Sequence, residues 1–587
     1  MKTPNSRLSS TVLRPCLPLI VLWLLVPWLA VAGSWTPLVN KETDATRGLG
    51  PMLLLSDGTV MAQYFGGTKW YKLTPDSHGS YINGSWTNLN PMISGNRQYH
   101  SSAVLRDGRV FVAGAELGPG WNSAEVYDPA NNTWTYVPIP NGLINTNNVI
   151  NAAGDNTAGF SDSPCIILPD GTVMVAPIFP VTNNATVIYN PVTGAIIGGP
   201  IALGGQKSQN ETSWVKLPDD SILTIDKSSL NSERYIPSLG QWNSDANLPI
   251  QLYSNTGSEI GAGFLVSDGR AVFLGGNGNT AFYTPSGGAS NGHWTQGTSM
   301  PSGLVARDTP AAMMANGKIL CALSAGANAI GNETPVFFYE FDPLANSGNG
   351  LFTPVGSPQN PAVGSSDTNN ISDFYTMLVL PDGNILFSDA AFNTAGSTLY
   401  VYQPDCCPVP EGKPAISSIT ANGNGSYHLI GTGLNGISQG AAFGDDNQMD
   451  SNYPLVRVND GSGSIYYLPT YNWSSTGVKT GNLPVSTEFF AFQRLVPALS
   501  YSLVAVANGI SSDPVTFYGP VWVDVNSGDP TQLGSFDFPY HTLALGISAV
   551  PATGTINIKT SGHTAETMTI TKPMTIVAVG GPVTIGQ

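Results

Sequence analysis

Six acidic or phenolic side chains recur at one position of a repeated sequence pattern. The pattern is a short apolar run that ends in an Asp-Gly-type turn, and the start of each run lies eight or nine residues before the turn. The residues found there are Tyr99, Asp162, Glu211, Glu259, Asp308 and Asp373, and their close neighbours include Arg97, His100 and Arg307. Carboxylates gathered in one place raise one another's pKa or bind a cation.

Four roles are open for such a group of side chains. Paired carboxylates could act as general acid and base, as in glycoside cleavage. Oxygen ligands suit calcium, and a polar ring also suits recognition of a polar ligand. The fourth role is structural, in which acidic residues at strand starts hold backbone N–H groups of the neighbouring repeat.

The elements that position these residues are short strands, repeated seven times. A repeat of about 50 to 65 residues that contains only short strand-like runs is typical of a β-propeller. In that fold the innermost strands all start around one central channel, so the polar residues should form a ring at its mouth. The turns centre on Asp57, Asp107, Asp170, Asp219, Asp268, Asn316 and Asp382, and aromatic-x-Pro corners end at Pro75, Pro129, Pro191, Pro237, Pro285, Pro343 and Pro404.

The second repeat shows the four strands of one blade. Its runs at 99–105, 110–114, 124–129 and 133–135 are rich in β-branched and aromatic residues and are separated by turn residues. The seventh repeat has no fourth strand, whereas residues 34–38 stand alone before the first repeat. We therefore predict an all-β protein whose seven-bladed propeller, 33–405, is closed by the strand 34–38.

The turns, the corners and the Trp-bearing last strands of four repeats resemble kelch repeats. More narrowly, the stretch from Asn96-Arg97-Gln98-Tyr99-His100 to Trp134 resembles the second blade of galactose oxidase and related secreted copper radical oxidases. The resemblance extends loosely over residues 33–520, because an immunoglobulin-like domain follows the propeller in that family.

The resemblance also implies a copper site, which can be compared residue by residue. Tyr99 matches the cross-linked tyrosine of that family, and Trp121 matches the tryptophan that stacks on it. The cysteine of the cross-link falls at Gly50, the Tyr-His pair falls at Asp373-Phe374, and the histidine of the following domain falls at Ala507-Asn508. Since three of five groups are missing, we expect neither bound copper nor copper radical oxidase activity; calcium stays open as a cofactor.

Two further units are predicted after the propeller. A Pro-rich linker, 406–414, precedes an immunoglobulin-like β-sandwich at 415–520, where strand-like runs recur about every ten residues. The segment 521–587 repeats short β-branched runs and resembles the first rungs of a β-helix, so we predict a β-helix-like stub there.

Composition and the N-terminus bear on localisation. Residues 1–32 combine basic residues, an apolar run and an Ala-Val-Ala end, which predicts a signal peptide and a secreted or cell-surface protein; an uncleaved anchor is the alternative. The net charge of −16 argues against nucleic acid as a partner, and no membrane span is expected after cleavage. Cys165 and Cys321 lie in apolar runs and should be buried thiols, whereas Cys406 and Cys407 could form a vicinal disulfide or pair elsewhere.

Two long connections, 138–162 and 353–373, and Trp121 should lie at the channel mouth, where long loops commonly bind ligands. The favoured hypothesis is a propeller that binds a polar, carbohydrate-like ligand at this mouth, with the other two units serving presentation or attachment. The alternatives are a carbohydrate-active enzyme on the galactose-oxidase scaffold (a hydrolase or lyase using ring carboxylates, or an atypical oxidase) and a structural adhesin without a small-molecule site.

Overall fold

The computed structural model describes most of the chain after Gly33. The described ranges are 1, 33–42, 48–119, 122–144, 159–160, 163–177, 185–202, 212–254, 260–301, 303–326, 334–368, 370–390, 398–443, 447–491 and 495–586, with backbone only at 443 and 447–449. The described residues from Gly33 onward belong to one compact unit, Ala32–Gln587. Over these ranges, no helix is both long enough and apolar enough to span a membrane.

The described part of residues 33–405 contains seven four-stranded antiparallel units, five as separate sheets and two joined within one larger sheet, which confirms the prediction of an all-β propeller; each unit is called a sheet below. The strands are β1 (Ser34–Pro37), β2–β5 (Leu49–Leu54, Val60–Tyr64, Trp70–Thr74, Ser85–Asn88), β6–β9 (Ser101–Val104, Val110–Ala113, Ala124–Asp128, Thr133–Val137), β10–β13 (Cys165–Ile167, Val173–Val175, Ala185–Asn190, Ala195–Ile201), β14–β17 (Val215–Lys216, Ile222–Ile225, Ser232–Ile236, Gln241–Ser244), β18–β21 (Gly263–Leu265, Ala271–Leu274, Thr280–Thr284, His293–Gln296), β22 (Leu304–Val305), β23–β26 (Pro310–Met313, Ile319–Ala325, Val336–Asp342, Leu351–Pro354), β27 (Ser366–Asp367) and β28–β30 (Tyr375–Val379, Ile385–Asp389, Tyr400–Gln403). The short strands β22 and β27 pair with β24 and β25 in the sixth sheet.

Turn chemistry explains where the first two strands of each sheet reverse. In the first sheet, the Asp57 carboxylate accepts hydrogen bonds from the backbone N–H of Thr59 at 3.0 Å and from its hydroxyl at 2.6 Å. Gly58 takes a φ of +75°, which a residue with a Cβ rarely adopts. This combination makes a tight turn between two buried strands, and it recurs at Asp107 and Gly108.

The seventh sheet takes its outermost strand from the N-terminal side of the ring. β1 pairs antiparallel with β30, with Trp35 opposite Tyr402. The indole N–H of Trp35 donates to the backbone oxygen of Gly356 at 2.7 Å, and its ring packs against Phe338 and Phe387. The closing strand that the sequence indicated at 34–38 therefore lies in the seventh sheet.

Two facing sheets follow the propeller and share one apolar cluster that includes Leu429, Val458, Phe489 and Leu503. One sheet contains β31 (Ala415–Ala421), β32 (Ser426–Thr432), β37 (Thr470–Tyr471) and β38 (Val485–Phe490). The other contains β35 (Leu455–Asn459), β36 (Ile465–Leu468), β39 (Ser500–Ala507), β40 (Ile510–Ser511) and β41 (Val515–Tyr518). Two strands of this part of the chain, β33 (Gly440–Phe443) and β34 (Asn447–Asp450), belong to neither sheet.

The last described segment contains parallel strands. β42 (Val521–Val523), β43 (Thr555–Ile558) and β45 (Thr575–Ala578) form one parallel sheet, and β44 (Gly562–Thr564) pairs in parallel with β46 (Val583–Ile585). The helices of the described ranges are short: α1 (Ala345–Gly348), α2 (Leu543–Ala549) and two 3₁₀ turns (Ser372–Phe374 and Pro410–Gly412).

The hairpin β33–β34 does not belong to the two facing sheets, although the sequence places it among their strands. β33 pairs antiparallel with β23, the innermost strand of the sixth sheet, and β34 pairs in parallel with β6, the innermost strand of the second sheet. The prediction that all of 415–520 forms one sandwich is therefore wrong for this segment. The hairpin, called the channel hairpin below, fills the space between two innermost strands.

The rest of the two-sheet domain lies against the face of the propeller that carries the Asp-Gly turns. Thr470 N–H donates to the backbone oxygen of Ser56 at 3.3 Å, and Trp473 N–H donates to that of Arg106 at 3.2 Å. The buried ammonium of Lys216 donates to Thr476 O at 2.8 Å. Because the innermost strands end at these turns, the strand starts lie at the opposite mouth.

Candidate functional site

Three of the predicted ring residues meet at the mouth where the innermost strands start. The hydroxyl of Tyr99 lies 3.5 Å from the backbone oxygen of Asp373. Burial, followed by the charges of Asp373 and Asp308, raises the pKa of Tyr99 well above its usual value. The phenol is therefore protonated at neutral pH and donates towards the Asp373 backbone oxygen, beside two carboxylates from different sheets.

Tyr99 and Asp308 also share an unusual backbone conformation. Their φ angles are +50° and +46°, in the left-handed region that non-glycine residues avoid at a cost of about 1–2 kcal/mol each. Both stand eight residues before the turn of their own repeat. Backbone strain of this kind is concentrated at ligand-binding and active sites, so its occurrence at two equivalent positions of one mouth supports a functional role.

Sequence reasoning missed two residues of this mouth, Glu116 and Phe65. The charge of Glu116 acts on Tyr99, and the Glu116 N–H bonds to the backbone oxygens of Gln98 and Tyr99 at 2.9 Å. The ring of Phe65 meets the edges of Tyr99 and Phe374 at centroid distances of 5.9 and 5.7 Å. Glu116 lies in the same loop as Trp121, which was predicted to lie at the mouth, so its place in that loop could have identified it. Phe65 follows the second strand of the first repeat and offered none.

Arg97 is not brought to the mouth, because it is fully buried inside the second sheet. Its guanidinium donates to the backbone oxygens of Gly114 at 2.7 Å and Ser123 at 3.0 Å, and to Glu125 at 3.2 Å. Glu125 in turn accepts the N–H groups of residues 93 and 94. In this arrangement the arginine connects the entry of the second repeat to its second and third strands.

His100 is also buried rather than exposed at the mouth. Its ring meets the edge of Trp70 at a centroid distance of 6.3 Å, and neither ring nitrogen finds a hydrogen-bond partner within the described ranges. Burial, and then the charge of Arg97, lower the pKa of His100 to about 3. The imidazole is therefore neutral and packs as a core side chain. Arg307 is likewise buried, with 7% of its surface exposed.

The remaining predicted site residues, Trp121, Asp162, Glu211 and Glu259, lie outside the described residues, as does most of the long connection 138–162. The other long connection, 353–373, is ordered by its own contacts. Asp367, in β27, accepts the hydroxyl of Tyr375 at 2.8 Å and the side-chain amide of Gln359 at 2.9 Å.

The channel hairpin approaches the same mouth from inside the channel, beside the innermost strands of the second and sixth sheets. Phe443 pairs with Pro310, two residues from Asp308, and Asn447 pairs with Ser102, three residues from Tyr99. Residues 444–446, which connect the two strands, lie outside the described residues. A ligand at Tyr99 would consequently meet the end of a filled channel rather than an open pore.

The described donor set does not fit a copper ion. A Cβ at Gly50 would stand 3.0 Å from Cγ2 of Thr376, so the position leaves little room for a cysteine, and Phe374 supplies no imidazole. Asn508 lies at the base of the channel hairpin, where its Oδ1 accepts the N–H groups of Ile437 and Ser438. Within the described ranges, no group of three His, Cys, Asp or Glu residues is arranged to hold a metal ion.

No protein-family model and no curated protein matches the chain. Among solved structures, it is similar to a fungal alcohol oxidase of the AA5 family in complex with copper, with 14% identity, a TM-score of 0.48 and coverage of 83% of this chain and 99% of that one. It is also similar to virginiamycin B lyase from Staphylococcus aureus, with 12% identity, a TM-score of 0.40 and coverage of 63% and 99%. At these identities and TM-scores the two likenesses carry no conclusion about the activity of this chain.

Proposed function

We propose that this β-propeller protein binds a polar, carbohydrate-like ligand at the mouth formed by Tyr99, Asp308 and Asp373. The observation that carries the proposal is the convergence of two acidic residues from different sheets on the half-buried Tyr99, whose hydroxyl lies 3.5 Å from the Asp373 backbone oxygen. Two of the three residues hold a strained backbone, a feature that is concentrated at ligand-binding and active sites.

The chemistry of the mouth suits a ligand with many hydroxyl groups. The carboxylates accept hydrogen bonds, and bonds to a charged acceptor are stronger than those between neutral groups. The half-exposed ring of Phe374, which packs against the buried Phe65, supplies apolar surface for the C–H face of a sugar.

The proposal includes the context of the site. The chain is secreted or displayed at the cell surface after removal of residues 1–32. The immunoglobulin-like sandwich and the β-helix-like stub hold the propeller so that the mouth opposite them faces its ligand. The support is the signal-like N-terminus and the hydrogen bonds of Thr470 and Trp473 in the two-sheet domain to the turn face.

The test is a glycan array on the purified protein, followed by calorimetry with the best ligand and metal analysis of the same sample. Asp308→Asn and Asp373→Asn should each weaken binding roughly tenfold or more, because each loses a charged hydrogen-bond acceptor. Asp268→Asn, which alters a turn on the other face, is the matched control and should bind as wild type. The proposal fails if the mouth variants bind normally, or if they unfold and thereby show a structural role.

A further inference from the structure

A second cavity lies on the opposite face of the propeller, where the turns of the first and second sheets meet the two-sheet domain. Its volume is about 320 Å³, within the range of small-molecule sites, and such sites are common between domains. We call it the Tyr471 pocket and define it by Asp57, Asp107, Arg109, Asp128, Tyr471 and Phe490.

One wall of the Tyr471 pocket is aromatic. The rings of Tyr471 and Phe490 stack with centroids 4.8 Å apart and planes 16° apart, and both side chains are only half-buried. The wall is fixed to the propeller, because the N–H of the adjoining Thr470 donates to Ser56 O at 3.3 Å. The Thr470 hydroxyl also donates to Pro454 O at 2.7 Å. An aromatic surface that is held in place and left partly exposed is a ready contact for a ligand.

The other wall carries three carboxylates and one guanidinium. Asp57 and Asp128 are oriented by backbone N–H groups within their own turns, at 3.0 and 2.9 Å. Arg109 forms an ion pair with Asp107 at 2.6 Å and donates to Pro191 O at 2.8 Å. Since Arg109 is already committed to Asp107, the formal charge left on this wall is negative.

Asp57 and Asp128 act on the same region although they come from different sheets. Burial, and then the charges of Asp57 and Asp128, raise the pKa of Tyr127 to about 12. The carboxylates of Asp57 and Asp128, both oriented by their turns, therefore lie on one side of the cavity, and the rings of Tyr471 and Phe490 lie on another. A compact organic cation satisfies both walls, because it pairs with carboxylates and is attracted to the face of an aromatic ring.

We infer that the Tyr471 pocket binds a ligand through an ammonium group, separately from the ligand proposed for the mouth. Two sources of that chemistry fit the cavity: a free diamine, and an amino sugar with an unacetylated amine. The chemical requirement common to both is a positive charge next to a small apolar body.

Calorimetry at low ionic strength on the full chain distinguishes these sources and tests the inference. The probes are putrescine, a glucosamine oligomer and its N-acetylated counterpart. We expect one or both amine probes to bind and the N-acetylated oligomer to bind at least about fivefold more weakly, because it lacks the cation. Binding should also weaken as salt is added. The inference is overturned if neither amine binds or if acetylation makes no difference.

Variants then locate the site. Tyr471→Ala and Asp128→Asn should each reduce amine binding at least about fivefold, whereas Tyr471→Phe, which keeps the ring, should retain it. Asp342→Asn is a matched control, because Asp342 precedes the corner proline of the sixth repeat, accepts the Leu344 N–H at 3.0 Å as Asp128 accepts that of Ala130, and lies outside the pocket. Asp308→Asn should leave amine binding unchanged, so failure of the mouth proposal and failure of this one remain distinguishable. Equal binding by Tyr471→Ala or Asp128→Asn and wild type would overturn the inference.

Discussion

At the scale of single residues, one position along the chain separates the mouth from the core. Tyr99 is part of the mouth, whereas the next residue, His100, is fully buried. The backbone bends at Tyr99, where φ is +50°, so these two neighbours in the sequence meet different surroundings. Arg97 and His100 were candidates only because of their nearness in sequence, and the structure uses both inside the second sheet.

Burial of His100 predicts a specific pH dependence of stability. Its folded pKa, about 3, lies below the usual value of 6.5. As the pH falls from about 6.5 towards 3, His100 is therefore protonated in the unfolded chain but stays neutral in the folded chain. The free energy of unfolding should therefore decrease as the pH falls through that window, by at most about 1.4 kcal/mol per pH unit.

His100→Phe removes this proton uptake and should flatten the acid side of the stability profile while leaving stability near pH 7.5 similar. Thermal unfolding between pH 4.5 and 7.5 measures the difference between variant and wild type. The exposed His293 offers a control, since His293→Asn should keep the wild-type profile. Parallel profiles for wild type and His100→Phe would show that the imidazole is not buried as described.

At the scale of elements, the channel hairpin connects the two-sheet domain to the propeller. Its base is held by Asn508, which lies between β39 and β40 and has a φ of +47°. The Asn508 side chain accepts from Ile437 N–H at 2.9 Å and Ser438 N–H at 3.3 Å, and it donates to the hydroxyl of Ser451 at 3.0 Å. Three residues from both ends of the hairpin are thus joined through one amide.

Replacing Asn508 should loosen the hairpin in a graded way. Asn508→Gly loses the three side-chain bonds but tolerates the positive φ, and should cost about 2 kcal/mol. Asn508→Ala loses the same bonds and also strains the backbone, which adds about 1 kcal/mol. Thermal unfolding and the rate of proteolysis within 440–450 report the order wild type, Gly, Ala. An Ala variant as stable as the Gly variant would contradict the assigned backbone strain.

At the scale of the whole described molecule, ring closure depends on a strand of four residues. β1 joins β30 and gives the seventh sheet its fourth strand, and Trp35 carries most of its buried surface. A propeller left without this strand would expose the edge of β30, and open edges weaken the ring and promote association.

Trp35→Ala should destabilise the propeller by about 3–5 kcal/mol, because it removes a large buried ring and the hydrogen bond to Gly356. Trp86→Ala is the matched control: Trp86 also lies in a fourth strand, but it is only half-buried and should cost less. Calorimetric unfolding compares the two variants, and size-exclusion chromatography checks for association. Equal melting temperatures for the two variants would contradict a special role for the closing strand.

The sequence by itself determined the repeat, its turns and the existence of a closing strand, because these depend on local rules. Asp57, Gly58 and Thr59 form their turn with one another, and the missing fourth strand of the seventh repeat left few partners for residues 34–38. The meeting of Tyr99, Asp308 and Asp373 followed from the repeat, since Tyr99 and Asp308 stand eight residues before their turns and Asp373 nine.

Only the tertiary structure decided the rest, and the reason is the distance along the chain between interacting residues. Nothing local in 440–450 shows that β33 will pair with β23 and β34 with β6, because such pairing depends on shape and on backbone groups far away in sequence. Burial of Arg97 and His100, the approach of Phe65 and Glu116 to Tyr99, and the Tyr471 pocket likewise arise from surfaces that come together only on folding. Local residue chemistry specifies strands and turns, whereas packing between distant elements determines which side chains form a site.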